Sequence, residues 1–273
     1  VNRFASKSSL AVAAALISTA VMAGCSSRSS IEYRVDLASS PPPWVAVDLA
    51  LTGFEGDSLV LEGLAPASAM RVADVRATSK NGSSLPVTIT TRPGPDSDGT
   101  DLFTVIRIGG PVPGSLTVHY RVSLGGREGD AHVGFTGRRF GMVTDRFAFA
   151  RGRDLFLVPS RSRSSDAIGV AFALPKDWSV VAPWSRSGEG WRTGIGGRYA
   201  PQDLVSAGLG FGRFVERDTT LQGTRFRFAA EQGISESERA AAVGRLATIA
   251  AGVTSSLGRG LGPEFATVLL PEL

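Results

Sequence analysis

Two histidines, one cysteine, a compact acidic loop and a run of arginines are the side chains in this 273-residue sequence with the types and spacing to do chemistry. A zinc site built from imidazoles needs several histidines at short spacing. His119 and His132 stand thirteen residues apart on strand-like segments, and no His-Glu-x-x-His occurs. His119 falls on the polar face of its strand, where a solvated side chain is expected. No Gly-x-Ser-x-Gly nucleophile elbow is present. Gly208-Leu209-Gly210-Phe211-Gly212 and Gly258-Arg259-Gly260-Leu261-Gly262 have the glycine density of phosphate loops but neither the dinucleotide nor the Walker spacing. Their expected role is strand bending and close backbone approach. Asp96, Asp98 and Asp101 crowd a Gly-containing loop of oxygen donors, but the further ligands of a calcium loop are missing. A solvated hairpin tip is expected there. Arg138, Arg139, Arg146, Arg151, Arg153, Arg161 and Arg163 are the notable charge feature. Among them Arg138, Arg139, Arg151 and Arg153 are the candidate surface-binding residues, for acidic lipid headgroups or for a domain interface.

Composition narrows the class. With 29 basic and 25 acidic residues the formal charge is +4, and no run of five like charges occurs. Nucleic acid is not an expected partner, because a dense basic face interleaved with aromatics is lacking. An apolar content of 42% with so little net charge excludes a disordered chain. The 33 glycines and 15 prolines argue against a mostly helical protein and for a β-rich one with many turns.

The sole cysteine sits in a telling place. Arg3 and Lys7 precede an apolar stretch from Leu10 to Val21, too short to span a bilayer as a helix. Met22-Ala23-Gly24-Cys25 follows. This segment resembles a bacterial lipoprotein signal. The resemblance implies cleavage after residue 24 and lipidation of Cys25, which several acyl chains would hold firmly in a membrane. Residues 25–30 then form a lipidated cysteine and polar tether, and the expected location is the bacterial cell envelope.

The elements beyond the tether read mainly as short strands. Ile31, Tyr33, Val35 and Leu37 alternate with polar residues, and so do Val45, Val47, Leu49 and Leu51. Leu116, Val118, Tyr120, Val122 and Leu124 give the clearest run, with Thr117, His119, Arg121 and Ser123 opposite. Such alternation puts one face in a core and the other in water. Asp154-Leu155-Phe156-Leu157-Val158-Pro159 reads as a short buried strand, residues 160–166 as an exposed link, and strands resume at Ile168. The pattern changes near 234. Ser235 and Glu238 make a capping box ahead of Val243, Leu246, Ala250, Val253 and Leu257, which recur at helical spacing. A strand from Phe265 to Leu270 follows.

The order of these elements carries a second resemblance. Leu116-x-Val118-x-Tyr120-x-Val122, Leu174-Pro175-x-x-Trp178-Ser179-Val180, Gly210-Phe211-Gly212-Arg213-Phe214 and Leu257-Gly258-x-x-Leu261-Gly262-Pro263 fall in sequence. Together they resemble the N-terminal half of a gluzincin metallopeptidase of the glycyl-aminopeptidase-like family, with Tyr199-Ala200-Pro201-Gln202-Asp203-Leu204 departing from its pattern. The resemblance implies a mainly β fold: an antiparallel sandwich or saddle-like sheet domain over 31–230, then the start of a thermolysin-like α/β domain over 231–273. In that family the zinc-binding helix lies downstream of the matching segment. No catalytic or metal residue is therefore assigned, zinc is expected only with that downstream segment, and this chain alone is expected to be inactive. The alternative is a stand-alone β-rich lipoprotein that binds peptides or another envelope protein, or serves as a scaffold.

Overall fold

The computed structural model describes residues 29–40, 42–66, 71–94, 102–124, 141–162, 167–193, 200–221, 223–257 and 264–269. The first half is all strand: β1 (Ser30–Asp36), β2 (Trp44–Thr52), β3 (Leu59–Pro66), β4 (Arg71–Ser79), β5 (Ser84–Leu85), β6 (Val87–Pro93), β7 (Leu102–Ile108) and β8 (Ser115–Ser123). The alternating runs behave as expected. Ile31, Tyr33 and Val35 of β1, Val45, Val47, Leu49 and Leu51 of β2, and Leu116, Val118, Tyr120 and Val122 of β8 are all buried. Gly53, Gly82 and Gly110 take positive φ in turns between strands, a conformation that glycine adopts without steric cost.

Then come β9 (Met142–Val143), β10 (Phe147–Arg151), the helical turn α1 (Gly152–Leu155), β11 (Leu157–Pro159), β12 (Ala167–Ala173), β13 (Ser179–Val181), β14 (Ser185–Ser187) and β15 (Gly190–Thr193). The short helix α2 (Ala200–Ser206) precedes β16 (Gly208–Gly212), β17 (Phe214–Leu221), β18 (Thr224–Glu231), the long helix α3 (Glu236–Leu257) and β19 (Glu264–Leu269). The sequence reading of 154–159 as one strand needs correction. Asp154 accepts hydrogen bonds from Arg151 Nε at 2.9 Å and Nη2 at 3.1 Å. That pair closes a turn over 152–155, and the strand itself is Leu157–Pro159. Residues 200–206 are helical as well, with Pro201 in the first turn, where its missing N–H costs nothing.

Eight strands form one sheet in the order β14-β15-β12-β1-β2-β8-β4-β5. β1 pairs antiparallel with β2 and parallel with β12, which brings residues 30–36 beside 167–173. Two four-stranded sheets, β11-β3-β7-β6 and β13-β16-β10-β9, share its core. Contacts between layers are direct. The Tyr33 ring lies 4.8 Å from that of Phe156, and Phe172 lies 5.3 Å from Phe211. Tyr33 donates its hydroxyl proton to Leu157 O at 2.8 Å. Tyr120 Oη donates to Leu155 O at 3.1 Å and accepts from Leu157 N at 3.2 Å. Two buried phenols thus satisfy backbone groups of a non-repetitive segment that would otherwise be costly to bury. Fully burying an aromatic or branched side chain contributes about 1.5–3 kcal/mol, so this core dominates the stability of the molecule.

The last sheet differs. β17 and β18 form a hairpin, α3 crosses over, and β19 returns parallel to β18. The predicted capping box is present. Ser235 N donates to Glu238 Oε2 at 2.9 Å, and Glu238 N donates to Ser235 Oγ at 3.3 Å. The Ser235 hydroxyl and amide hold the Glu238 carboxyl below the usual glutamate range. Phe228, Ala230, Ile234 and Ala242 make a small separate core. Much of α3 stays exposed, Ile249 at 58%.

Candidate functional site

The chain passes from β16 into β17 through a single residue, Arg213, and a cleft opens at that crossing. Two turns and the Arg213 crossing frame it. The β9–β10 turn is tied by Thr144, whose hydroxyl donates to Phe147 O at 2.8 Å and accepts the amides of Arg146 and Phe147 at 3.2 and 3.1 Å. The β18–α3 turn is closed by Ile234 N donating to Glu231 O at 3.0 Å. Gln232 N reaches back to Arg213 O at 2.9 Å. Asp145, Arg146, Trp178, Arg213, Glu231, Gln232 and Gly233 line a space of about 280 Å³. Arg213 and Gln232 also line a second, shallower cleft, and Glu216 links that one to a third of about 520 Å³ beside Arg186, Arg217, Asp218 and Arg227. Neighbouring clefts thus share Arg213, Gln232 and Glu216 in their linings.

Glu231 is the centre of the first cleft. Its side chain is 6% exposed, while that of Arg146 is 56% exposed. Arg146 Nη2 donates to both Glu231 oxygens, at 3.0 and 2.9 Å, and Gly233 N donates to Oε2 at 2.8 Å. A β-carbon at position 233 would lie 2.6 Å from Arg146 Nη2 and 2.9 Å from Glu231 Oε2. A larger residue at 233 would have to displace one of these side-chain ends. A charge this deep is tolerated only when paired and hydrogen-bonded. The arrangement fastens the turn of one sheet to the turn of another. With its oxygens so engaged, Glu231 is placed to hold structure rather than to abstract a proton.

The residues singled out in the sequence are not gathered here. Cys25, Arg138, Arg139, His132, the acidic loop at Asp96, Asp98 and Asp101, and residues 258–262 lie outside the described residues. Arg151 gives its guanidinium to the fully buried Asp154. Arg153 is half-buried in the same helical turn. His119 accompanies Asp48, with Nδ1 2.8 Å from Oδ1, on the outer face of the eight-stranded sheet. Gly210 does what its strand context implies. A β-carbon there would come 2.7 Å from Val268 Cγ2, so β19 docks against β16 through the missing side chain. Arg146 belongs to the arginine run, whereas its partner Glu231 is not among the residues that the sequence singles out. The available signal was a lone acid ending the apolar run Phe226, Phe228, Ala229, Ala230, followed by Gly233.

Neither a family model nor a curated protein matches the sequence. Solved structures do match. An aminopeptidase N family protein from Idiomarina loihiensis superposes with a TM-score of 0.63 over 88% of this chain and 39% of that one, at 16% identity. In fold, the chain is similar to the N-terminal part of an M1 aminopeptidase. It spans about two fifths of that neighbour's length. An M1 zinc metallopeptidase from Deinococcus radiodurans matches with a TM-score of 0.46 and 14% identity, over 90% of this chain and 57% of that one. The mainly β fold expected from the sequence, with several antiparallel sheets, is the fold observed.

The zinc that the sequence resemblance implies finds no ligand set among the described residues. His119 is engaged by Asp48 on an outer sheet face. No three His, Cys, Asp or Glu side chains come together to hold a metal ion among the described residues.

Proposed function

We propose that this chain is the noncatalytic framework of a zinc-aminopeptidase-like protein, held at the bacterial cell envelope through lipidated Cys25 and carrying no metal site of its own. The supporting observation is the likeness over 88% of the chain to an aminopeptidase N family structure. In this reading the sandwich is a rigid support, the Arg146–Glu231 clamp fixes the second unit on it, and a membrane is the partner at the lipidated end.

Two measurements test it. The purified chain is expected to hold no stoichiometric zinc and to leave aminoacyl p-nitroanilides intact. One zinc per chain by elemental analysis would sink the proposal. In bacteria, Cys25→Ala is expected to abolish incorporation of a palmitate analogue and to move the protein out of the membrane fraction. Equal labelling of both forms would remove the anchor from the account.

A second reading, a self-sufficient binding or scaffold module, is favoured by the size of the core shared by the three larger sheets. Limited proteolysis separates the two. Rapid loss of residues 231–273 from a resistant 31–225 fragment speaks for a framework whose last unit needs company, and uniform resistance speaks for the module.

A further inference from the structure

We infer that one end of the sandwich, made by residues 53–58, 80–83 and 109–114, rests on a phospholipid bilayer and holds the β16–β17 cleft away from it. The inference depends on the lipidation of Cys25 put forward above and adds an orientation to it. Its basis is where the chain enters the fold. Residues 25–28 precede Ser29, and four extended steps span at most about 14 Å. Ser29 lies directly on the β2–β3 turn: a β-carbon at Gly53 would come 3.0 Å from the Ser29 Cα. Acyl chains on Cys25 therefore bring the bilayer to the Gly53 end of the eight-stranded sheet.

Strand directions show what else stands at that end. β1 begins there and β2 ends there, with Ser30 opposite Thr52. Thr52 is also opposite Ser115, where β8 begins, and Leu116 is opposite Ser79, where β4 ends. Gly53 N donates to Gly114 O at 2.7 Å, Val112 N to Gly56 O at 2.7 Å, and Lys80 N to Ser115 O at 3.3 Å. Three connecting loops are thus tied into one end surface beside Ser29. Glu55, Asp57, Lys80, Pro111 and, next to Gly56, Arg161 are exposed on it. The two acids and two bases among them cancel, so attraction to anionic headgroups does not set the contact. The short tether does. Arg151 and Arg153 stand elsewhere, because their helical turn is bonded through Leu155 O to Tyr120, midway along β8.

The opposite end carries the cleft. β1 has seven residues, about 23 Å at roughly 3.3 Å per residue. β12 runs parallel to it, and Phe172, opposite Val35 near the far end, lies 5.3 Å from Phe211. Phe211 is two residues from Arg213 at the β16–β17 crossing. Asp177, 3.9 Å from Arg213, belongs to the β12–β13 connection at the same end. A bilayer under Gly53 leaves the Arg146–Glu231 cleft about a strand's length out in the water, open to soluble molecules.

The lipidated protein in vesicles of phosphatidylethanolamine and phosphatidylglycerol tests this. Acylation blocks Cys25, so one added cysteine can take a fluorophore. Asp57→Cys, Lys80→Cys and Pro111→Cys mark the tethered end, and Ala38→Cys and Lys176→Cys the far one. All five positions are exposed, so the labels leave the core alone. Contact-range quenching by lipids with a headgroup nitroxide is expected to be severalfold greater at 57, 80 and 111 than at 38 and 176. Equal quenching at all five positions overturns the inference, and so does stronger quenching at 38 or 176. The reading beneath it is checked separately, by palmitate-analogue labelling and vesicle flotation of the protein without added cysteines. A chain that neither labels nor floats removes the anchor and the orientation together. A chain that labels and floats but is quenched evenly overturns the orientation alone.

Discussion

The sandwich and the β17–β18–α3–β19 unit solve the same problem with different means. In the sandwich, three sheets share one continuous core that includes Tyr33, Tyr120, Phe156 and Phe211. In the second unit, two strands, a helix and a returning strand enclose a small cluster of Phe228, Ala230, Ile234 and Ala242, and most of α3 faces outward. The first region is held by its own interior. The second is held largely by what it touches: the Gly210–Val268 contact and the Arg146–Glu231 clamp. A small unit with little interior of its own depends on neighbours in this way.

The largest expected effect is in the sandwich. Phe156 is fully buried, 4.8 Å from the Tyr33 ring and 6.2 Å from Trp184. Phe156→Ala should cost about 3–5 kcal/mol and lower the urea midpoint of the whole chain. Phe228→Ala should do less, and mainly within 214–269. Equal losses from the two substitutions would break the contrast.

Next comes the clamp. Arg146→Ala leaves the Glu231 carboxylate buried with only the Gly233 amide. The expected cost is about 1–3 kcal/mol, toward the low end because the guanidinium is half in water. Hydrogen exchange should quicken in β18 and α3 before it does in β1 or β8. Uniform quickening across all strands would mean that the two regions open together. Gly210→Ala should have a similar or smaller effect, about 1–3 kcal/mol of overpacking against Val268, with faster exchange confined to 264–269.

The smallest effect concerns the start of α3. The carboxyls of Glu236, hydrogen-bonded by Arg239, and Glu238, hydrogen-bonded by Ser235, sit below their ordinary range. A depressed carboxyl pKa gives stability that is present above the ordinary glutamate range and is lost as pH falls below it. Acid should therefore fray the first turn of α3 while the sandwich remains intact, and Ser235→Ala should flatten that pH dependence. Residue-resolved amide shifts between neutral pH and pH about 3 read this directly.

How much was legible in the sequence divides along the same line. β1, β2 and β8 have one face in the core and one in water, so Tyr33, Leu49 and Val118 sit in a strict alternation that burial repeats. β4 loses that regularity where its register shifts between Ala73 and Arg76 and Asp74 takes φ +54°. α3 announced itself through Ser235 and Glu238, a local bargain struck within one turn. α1 and α2 did not, because they are too short for a periodicity and are held from afar. Gly152 N donates to Ala207 O, and Trp184 Nε1 donates to Asp203 O. The clamp was hidden for the same reason: Arg146 and Glu231 are 85 residues apart, and nothing local to either predicts the other.

Tyr33 and Tyr120 are two of the chain's three tyrosines. Burial pushes both phenols well above their ordinary pKa, and for Tyr33 the neighbouring Tyr120 adds to the effect. A phenol kept protonated by the fold contributes stability that is full below the ordinary tyrosine range and disappears as the solution becomes more alkaline. Their absorbance therefore turns the molecule into its own optical gauge. In strong base the ultraviolet signal of these two rings should stay that of neutral phenol until the sandwich gives way, then change in a single cooperative step.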